Sequence, residues 1–149
     1  MAPRTRRPLA RPSAFWDASA LVPLFVRQGS TNQAAAWYRA YEVVIWWATP
    51  VEVTGALARM LRMSHLDALE WRKALKGVSQ SFETWFVVKP SETVLATAIE
   101  IVERYDLRAA DALQLAAALE WCDGVPRGHK FLTVDRRLQD AAILYGFDT

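Results

Sequence analysis

Short apolar runs alternate along this chain with longer segments of helical spacing. Ser13-Ala14-Phe15-Trp16 reads as a buried strand ending at Asp17, and the apolar stretch from Ser19 to Val26 continues as helix until Gly29 breaks it. Ser30 to Gln33 has capping-box spacing and opens a helix to about Tyr41. Val43-Val44-Ile45-Trp46-Trp47 is continuously apolar and rich in β-branched and aromatic side chains, as in a strand covered on both faces. Thr49-Pro50-Val51-Glu52 supplies a cap, a proline at the first helical position and an acid at the third, starting a helix to Met63. Ser64-His65-Leu66-Asp67 repeats the signal for a helix to about Phe82, with Leu66, Leu69, Leu75 and Val78 as its inner face. Trp85 to Val88 is a strand closed by Pro90, and Ser91 opens a helix through Ala98, Ile99 and Val102 to Tyr105. The segment Arg108 to Trp121 is a further helix, Phe131 to Val134 a strand closed by Asp135, and Arg136 to Tyr145 a last helix stopped by Gly146. Phe147 begins a short final strand. This order predicts a three-layer α/β/α domain around a mostly parallel sheet of four or five strands.

The 149 residues suit one core, read here as a domain over 13–149 preceded by a basic arm over 1–12. Half the residues are apolar and about a quarter charged, the balance of a soluble globular protein. No apolar run approaches the roughly 20 residues of a membrane span. Arg4, Arg6, Arg7 and Arg11 are followed by no apolar stretch of signal-peptide length, and a single cysteine, Cys122, argues for no oxidising compartment, so the expected location is the cytoplasm. Taking those four arginines from the 18 basic residues leaves 14 against 16 acidic ones, so the basic character is concentrated at the start. Such an arm suits contact with nucleic-acid phosphate, or simply a solvated terminus.

The chemistry of the chain lies in its acids. In open parallel sheets ligands bind at the carboxyl ends of strands, where strand order reverses. Asp17 and Asp135 each follow a strand and precede a helix, which places both at that rim, although aspartate there also serves as an ordinary N-cap. Glu52 has the position of the back-bonding member of a capping box, and it too falls on the rim after a strand. Asp111 lies in Arg108-Ala109-Ala110-Asp111-Ala112-Leu113-Gln114-Leu115, where nearly every neighbour is small or apolar. A buried carboxylate there needs a partner, either Arg108 one turn earlier or a bound cation. If the four acids converge, their repulsion calls for a hard cation, Mg²⁺ or Mn²⁺, and phosphodiester hydrolysis is the matching chemistry. Only two histidines occur, His65 and His129, both read as solvent-exposed, so no zinc site is assembled. Cys122 reads as a small core residue, most tryptophans, Trp46 and Trp47 included, as core, and no glycine-rich phosphate loop is present.

These residues resemble the PIN-domain ribonucleases, in particular the VapC-type toxins of toxin-antitoxin pairs. The resemblance rests on Phe15 to Leu21, Thr49 to Leu57, Arg108 to Ala116 and Phe131 to Asp135, four acid-bearing segments in order along nearly the whole chain. It implies that Asp17, Glu52, Asp111 and Asp135 bind Mg²⁺ or Mn²⁺, with Ser19 and Thr133 orienting the ligands. It further implies an RNA substrate, a cognate antitoxin protein and a homodimer. A housekeeping PIN nuclease and a catalytically inactive RNA-binding or scaffold protein are the alternatives. An aspartyl-phosphate phosphatase is disfavoured, because Asp17-Ala18-Ser19 lacks the second aspartate that chemistry uses.

Overall fold

In the computed structural model, which describes residues 10–149, the apolar runs become β1 (Ser13–Trp16), β2 (Glu42–Trp46), β3 (Phe86–Val88) and β4 (Lys130–Leu132). They form one fully parallel sheet in the order β3-β2-β1-β4. Phe15 pairs with Val44 on one side and Phe131 on the other, so β1 is one of the two central strands, beside the apolar β2. The expected last strand is reduced to a single parallel bridge between Lys130 and Asp148.

The helices are α1 (Ala18–Leu21, continued by a 3-10 turn over Val22–Leu24), α2 (Thr31–Ala40), α3 (Thr49–Arg62), α4 (Ala68–Phe82), α5 (Glu92–Arg104), α6 (Ala109–Trp121) and α7 (Arg136–Tyr145). Period-2 alternation on β1 explains how they divide. Phe15 packs with Val44, Phe131 and the inner faces of α5, α6 and α7, while Ala14 and Trp16 face the opposite core with Val43, Ile45, Leu57 and Val78. Both sheet faces are covered, which gives the expected three layers. Phe15 stacks on Phe131 with ring centroids 5.4 Å apart. Gly146 ends α7 in the left-handed conformation, φ 106°, that glycine adopts without strain.

Several local expectations are corrected. Ser30 precedes α2 but makes no side-chain cap, because Thr31 Oγ1 takes the Gln28 N–H instead, at 2.7 Å. The capping box on α4 is formed by Asp67 and Glu70, three residues beyond Ser64. Leu69 is exposed and Ala74 takes its place in the core, since the later start of α4 shifts which positions face inward. Trp47 lies past the end of β2 and is exposed, unlike Trp46. His129 is half-buried, with its ring edge-on to Trp121 at 5.1 Å. Arg4, Arg6 and Arg7 of the expected arm lie outside the described residues. Arg11 is fastened to the fold through Glu42 Oε1 at 2.9 Å and the Tyr38 carbonyl at 2.7 Å.

Candidate functional site

With all four strands parallel, their carboxyl ends share one rim. The chain leaves β1 toward β2 and β3 on one side, then returns to place β4 on the other, so the order reverses between β1 and β4. Asp17 follows β1 and Asp135 follows β4 closely. The Asp17 N–H donates to Leu132 O at 3.0 Å, which locks the two strand ends together at this point.

Asp17 is buried, and the groups around it are arranged on its charge. The Ser19 N–H, the Ser19 hydroxyl and the Thr133 hydroxyl, the last at 2.9 Å, all donate to Oδ2. Each hydroxyl has one proton and gives it to Asp17. As acceptors, Ser19 Oγ takes the Val134 N–H at 3.1 Å and Thr133 Oγ1 takes the Asp135 N–H at 3.0 Å. The turns after β1 and β4 are therefore tied through one carboxylate oxygen. Asp135 in turn caps α7, its Oδ1 accepting the Leu138 N–H at 3.1 Å. Both aspartates are helix caps and cleft residues at once, so the two readings of the sequence coincide.

Glu52 departs from its expected role. α3 begins at Thr49 itself, and its N-cap, Ala48, has no side-chain acceptor. Thr49 is fully buried and turns inward, where its hydroxyl accepts from Gln114 Nε2 at 3.2 Å. The same amide nitrogen donates to Glu52 Oε1 at 3.0 Å, so Glu52 is held by α6 rather than by its own cap. Asp111, one turn before Gln114, is half-buried, and no ion pair joins it to Arg108 among the described residues.

The four acids line one cleft of about 360 Å³, with Ser19, Arg59 and Arg108 also in its wall. Burial raises the Asp17 carboxyl above its ordinary range, offset in part by the Ser19 and Thr133 hydrogen bonds. Burial, then the Asp17 charge, pushes Glu52 up to about 7, against the opposing Gln114 hydrogen bond. Burial and the charges of Asp17 and Asp135 raise Asp111, while Arg108 works in the other direction. Burial is the largest cause in each case, and repulsion between the acids adds to it for Glu52 and Asp111.

The donor set fits a hard divalent cation. Asp17, Glu52 and Asp135 each commit one oxygen to these protein hydrogen bonds and leave the other out of them, and Asp111 is approached by the Arg108 backbone N–H. Among those residues no group of three acids, histidines or cysteines is drawn tightly enough to clasp an ion unaided. Uncompensated carboxylates stand apart, and an ion that keeps several waters needs few direct protein ligands. Gln114 and Arg59 were not singled out by the sequence, and Thr49 was read only as a helix cap. The signal for Gln114 was present: it is the only polar residue in the run from Ala112 to Leu119, one turn beyond Asp111.

The PIN domain model matches residues 14–144, which carry all four acids. The chain belongs to the PIN domain family. Among solved structures this PIN domain is similar to Mycobacterium tuberculosis VapC20, described as a sarcin-ricin loop cleaving toxin, at 17% identity over 87% of this chain and 95% of that one, TM-score 0.67. It is similar to FitAcB from Neisseria gonorrhoeae at 18% identity over 91% and 96%, TM-score 0.66. A toxin-antitoxin complex from Klebsiella pneumoniae aligns at 18% identity over 83% and 87%, TM-score 0.61. At such identities the likeness is one of fold. No curated protein matches the chain.

Proposed function

We propose that this PIN domain is a Mg²⁺- or Mn²⁺-dependent endoribonuclease and the toxin of a toxin-antitoxin pair. One observation carries the reading: Asp17, Glu52, Asp111 and Asp135, far apart in sequence, line a single cleft at the point where strand order reverses. In this reading the four carboxylates hold the cation. When bound, it neutralises charge on a phosphodiester and makes water a competent nucleophile near neutral pH. The residues around it keep the donors in place. Ser19 and Thr133 fix Asp17 through Oδ2, Gln114 fixes Glu52 through Oε1, and the Leu138 N–H fixes Asp135. Arg59 and Arg108 supply the positive charge in the same cleft.

The toxin role and an antitoxin partner are supported by neighbours of this fold described as a toxin and a toxin-antitoxin complex, and assembly as a homodimer in the cytoplasm belongs to the same proposal. No helix among the described residues is long and apolar enough to cross a membrane.

The test is cleavage of a structured RNA by the wild type and Asp17→Asn, with Mg²⁺, with Mn²⁺ and with EDTA. Cleavage in either metal, lost in EDTA and in the variant, is expected. Equal cleavage by the variant would assign the activity elsewhere. No cleavage under any condition, with no rise in Tm on adding Mn²⁺, would leave an inactive RNA-binding protein instead.

A further inference from the structure

Beside the acid cleft lies a second one of about 490 Å³, and the two share Arg108, Asp111 and Asp135. Its remaining wall includes Arg136 and Arg137, the first two residues of α7. Arg108, Arg136 and Arg137 are all exposed. The one ion pair they make among the described residues joins Arg137 to Asp106 at 3.6 Å, between largely solvated side chains, and such a pair holds little energy. For α7 itself these cations are misplaced, because the positive end of the helix dipole disfavours them. No acid follows in the first turn to offset them beyond the cap, Asp135. A local rule broken at the mouth of a site is the kind of conflict that function rather than folding accounts for.

Resting on the nuclease reading, the geometry points to a track for the RNA backbone in which Arg108, Arg136 and Arg137 hold phosphates on the β4–α7 flank of the acid cleft. The acids alone repel a polyanion, and cations placed along one edge offset that field and steer the strand into register. Guanidinium groups grip phosphate through paired N–H donors, which fixes position without reading bases. The partner is therefore a nucleic-acid strand whose phosphates continue past the scissile one onto α7, for which a single-stranded oligonucleotide serves as the probe.

The experiment measures binding of a labelled single-stranded RNA oligonucleotide to the Asp17→Asn protein in Mg²⁺ by fluorescence anisotropy across a salt series. It is repeated after adding Arg136→Ala with Arg137→Ala, and separately Arg108→Ala. Each phosphate that is no longer neutralised by an arginine is expected to flatten the slope of log K against log salt by about 0.7. The exposed pair Arg72→Ala with Lys73→Ala on α4 removes the same charge away from the groove and is expected to leave the slope unchanged. Tm values confirm that every variant is folded. RNA bound with an unaltered slope, or a slope altered equally by the α4 pair, overturns the track and leaves the nuclease reading standing. No RNA binding with all arginines intact overturns the nuclease reading and the track with it.

Discussion

Gln114 reaches from α6 to Glu52 on α3, its Nε2 lying 3.0 Å from Glu52 Oε1, and the same nitrogen meets Thr49 at 3.2 Å. Helices separated by more than sixty residues are thus joined at the one acid whose pKa is pushed to about 7. Gln114 is fully buried, and its Oε1 has no partner among the described residues, a cost that the two bonds of Nε2 offset. On the proposed reading, in which Glu52 is a metal ligand, Gln114→Leu is expected to lower RNA cleavage about 10- to 100-fold. The acid limb of the pH profile should move upward, because a donor favouring the carboxylate is gone. Unchanged cleavage with an unchanged profile would make Gln114 a packing residue.

Thr133→Val tests the other anchor. It keeps the shape of a buried side chain but removes a proton given to Asp17 and the acceptor of the Asp135 N–H. Leaving buried polar groups unpaired costs about 1–3 kcal/mol, so Tm should fall and cleavage should drop with it. Ser19→Ala, which removes the parallel donor, is expected to behave alike. A variant with full activity would show that one hydroxyl suffices to hold Asp17.

The metal-free protein should lose stability as pH rises. Glu52 is held up to about 7, and Asp17 and Asp111 are also raised, so the folded state keeps protons that the unfolded chain has released. Their contribution is fully present below the ordinary carboxylate range; the share of Glu52 is lost as pH rises through about 7, and those of Asp17 and Asp111 are lost in the same direction. Melting in EDTA should give a higher Tm at about pH 5 than at about pH 8. Mn²⁺ should raise Tm more at the higher pH, where protons compete less for the carboxylates. The reverse order in EDTA would mean that the acids are not crowded as described.

Leu115 carries the packing argument. It is fully buried on the face of α6 that meets the sheet, one residue past Gln114 and one turn past Asp111. Leu115→Ala is expected to destabilise the fold by about 2–5 kcal/mol, measured by urea denaturation. A loss below about 1 kcal/mol would indicate that α6 can collapse onto the sheet without it.

The sequence by itself determined the layers and the positions of the acids along the elements. Apolar runs in Phe15-Trp16 and Val43 to Trp46, alternating with helical spacing, depend only on nearest neighbours along the chain, and so does the placement of Asp17 and Asp135 after their strands. What depends on residues distant in sequence was decided by the tertiary structure. Glu52 reads as the back-bonding half of a capping box because Thr49 stands three residues before it, yet burial against α6 turns the Thr49 hydroxyl to Gln114 and takes Glu52 with it. The edge role of the last strand, the exposure of Leu69 and the half-burial of His129 likewise follow from where each element ends and what covers it. The cleft itself exists only because β4 returns to the far side of β1, and no local pattern encodes which neighbour a parallel strand will choose.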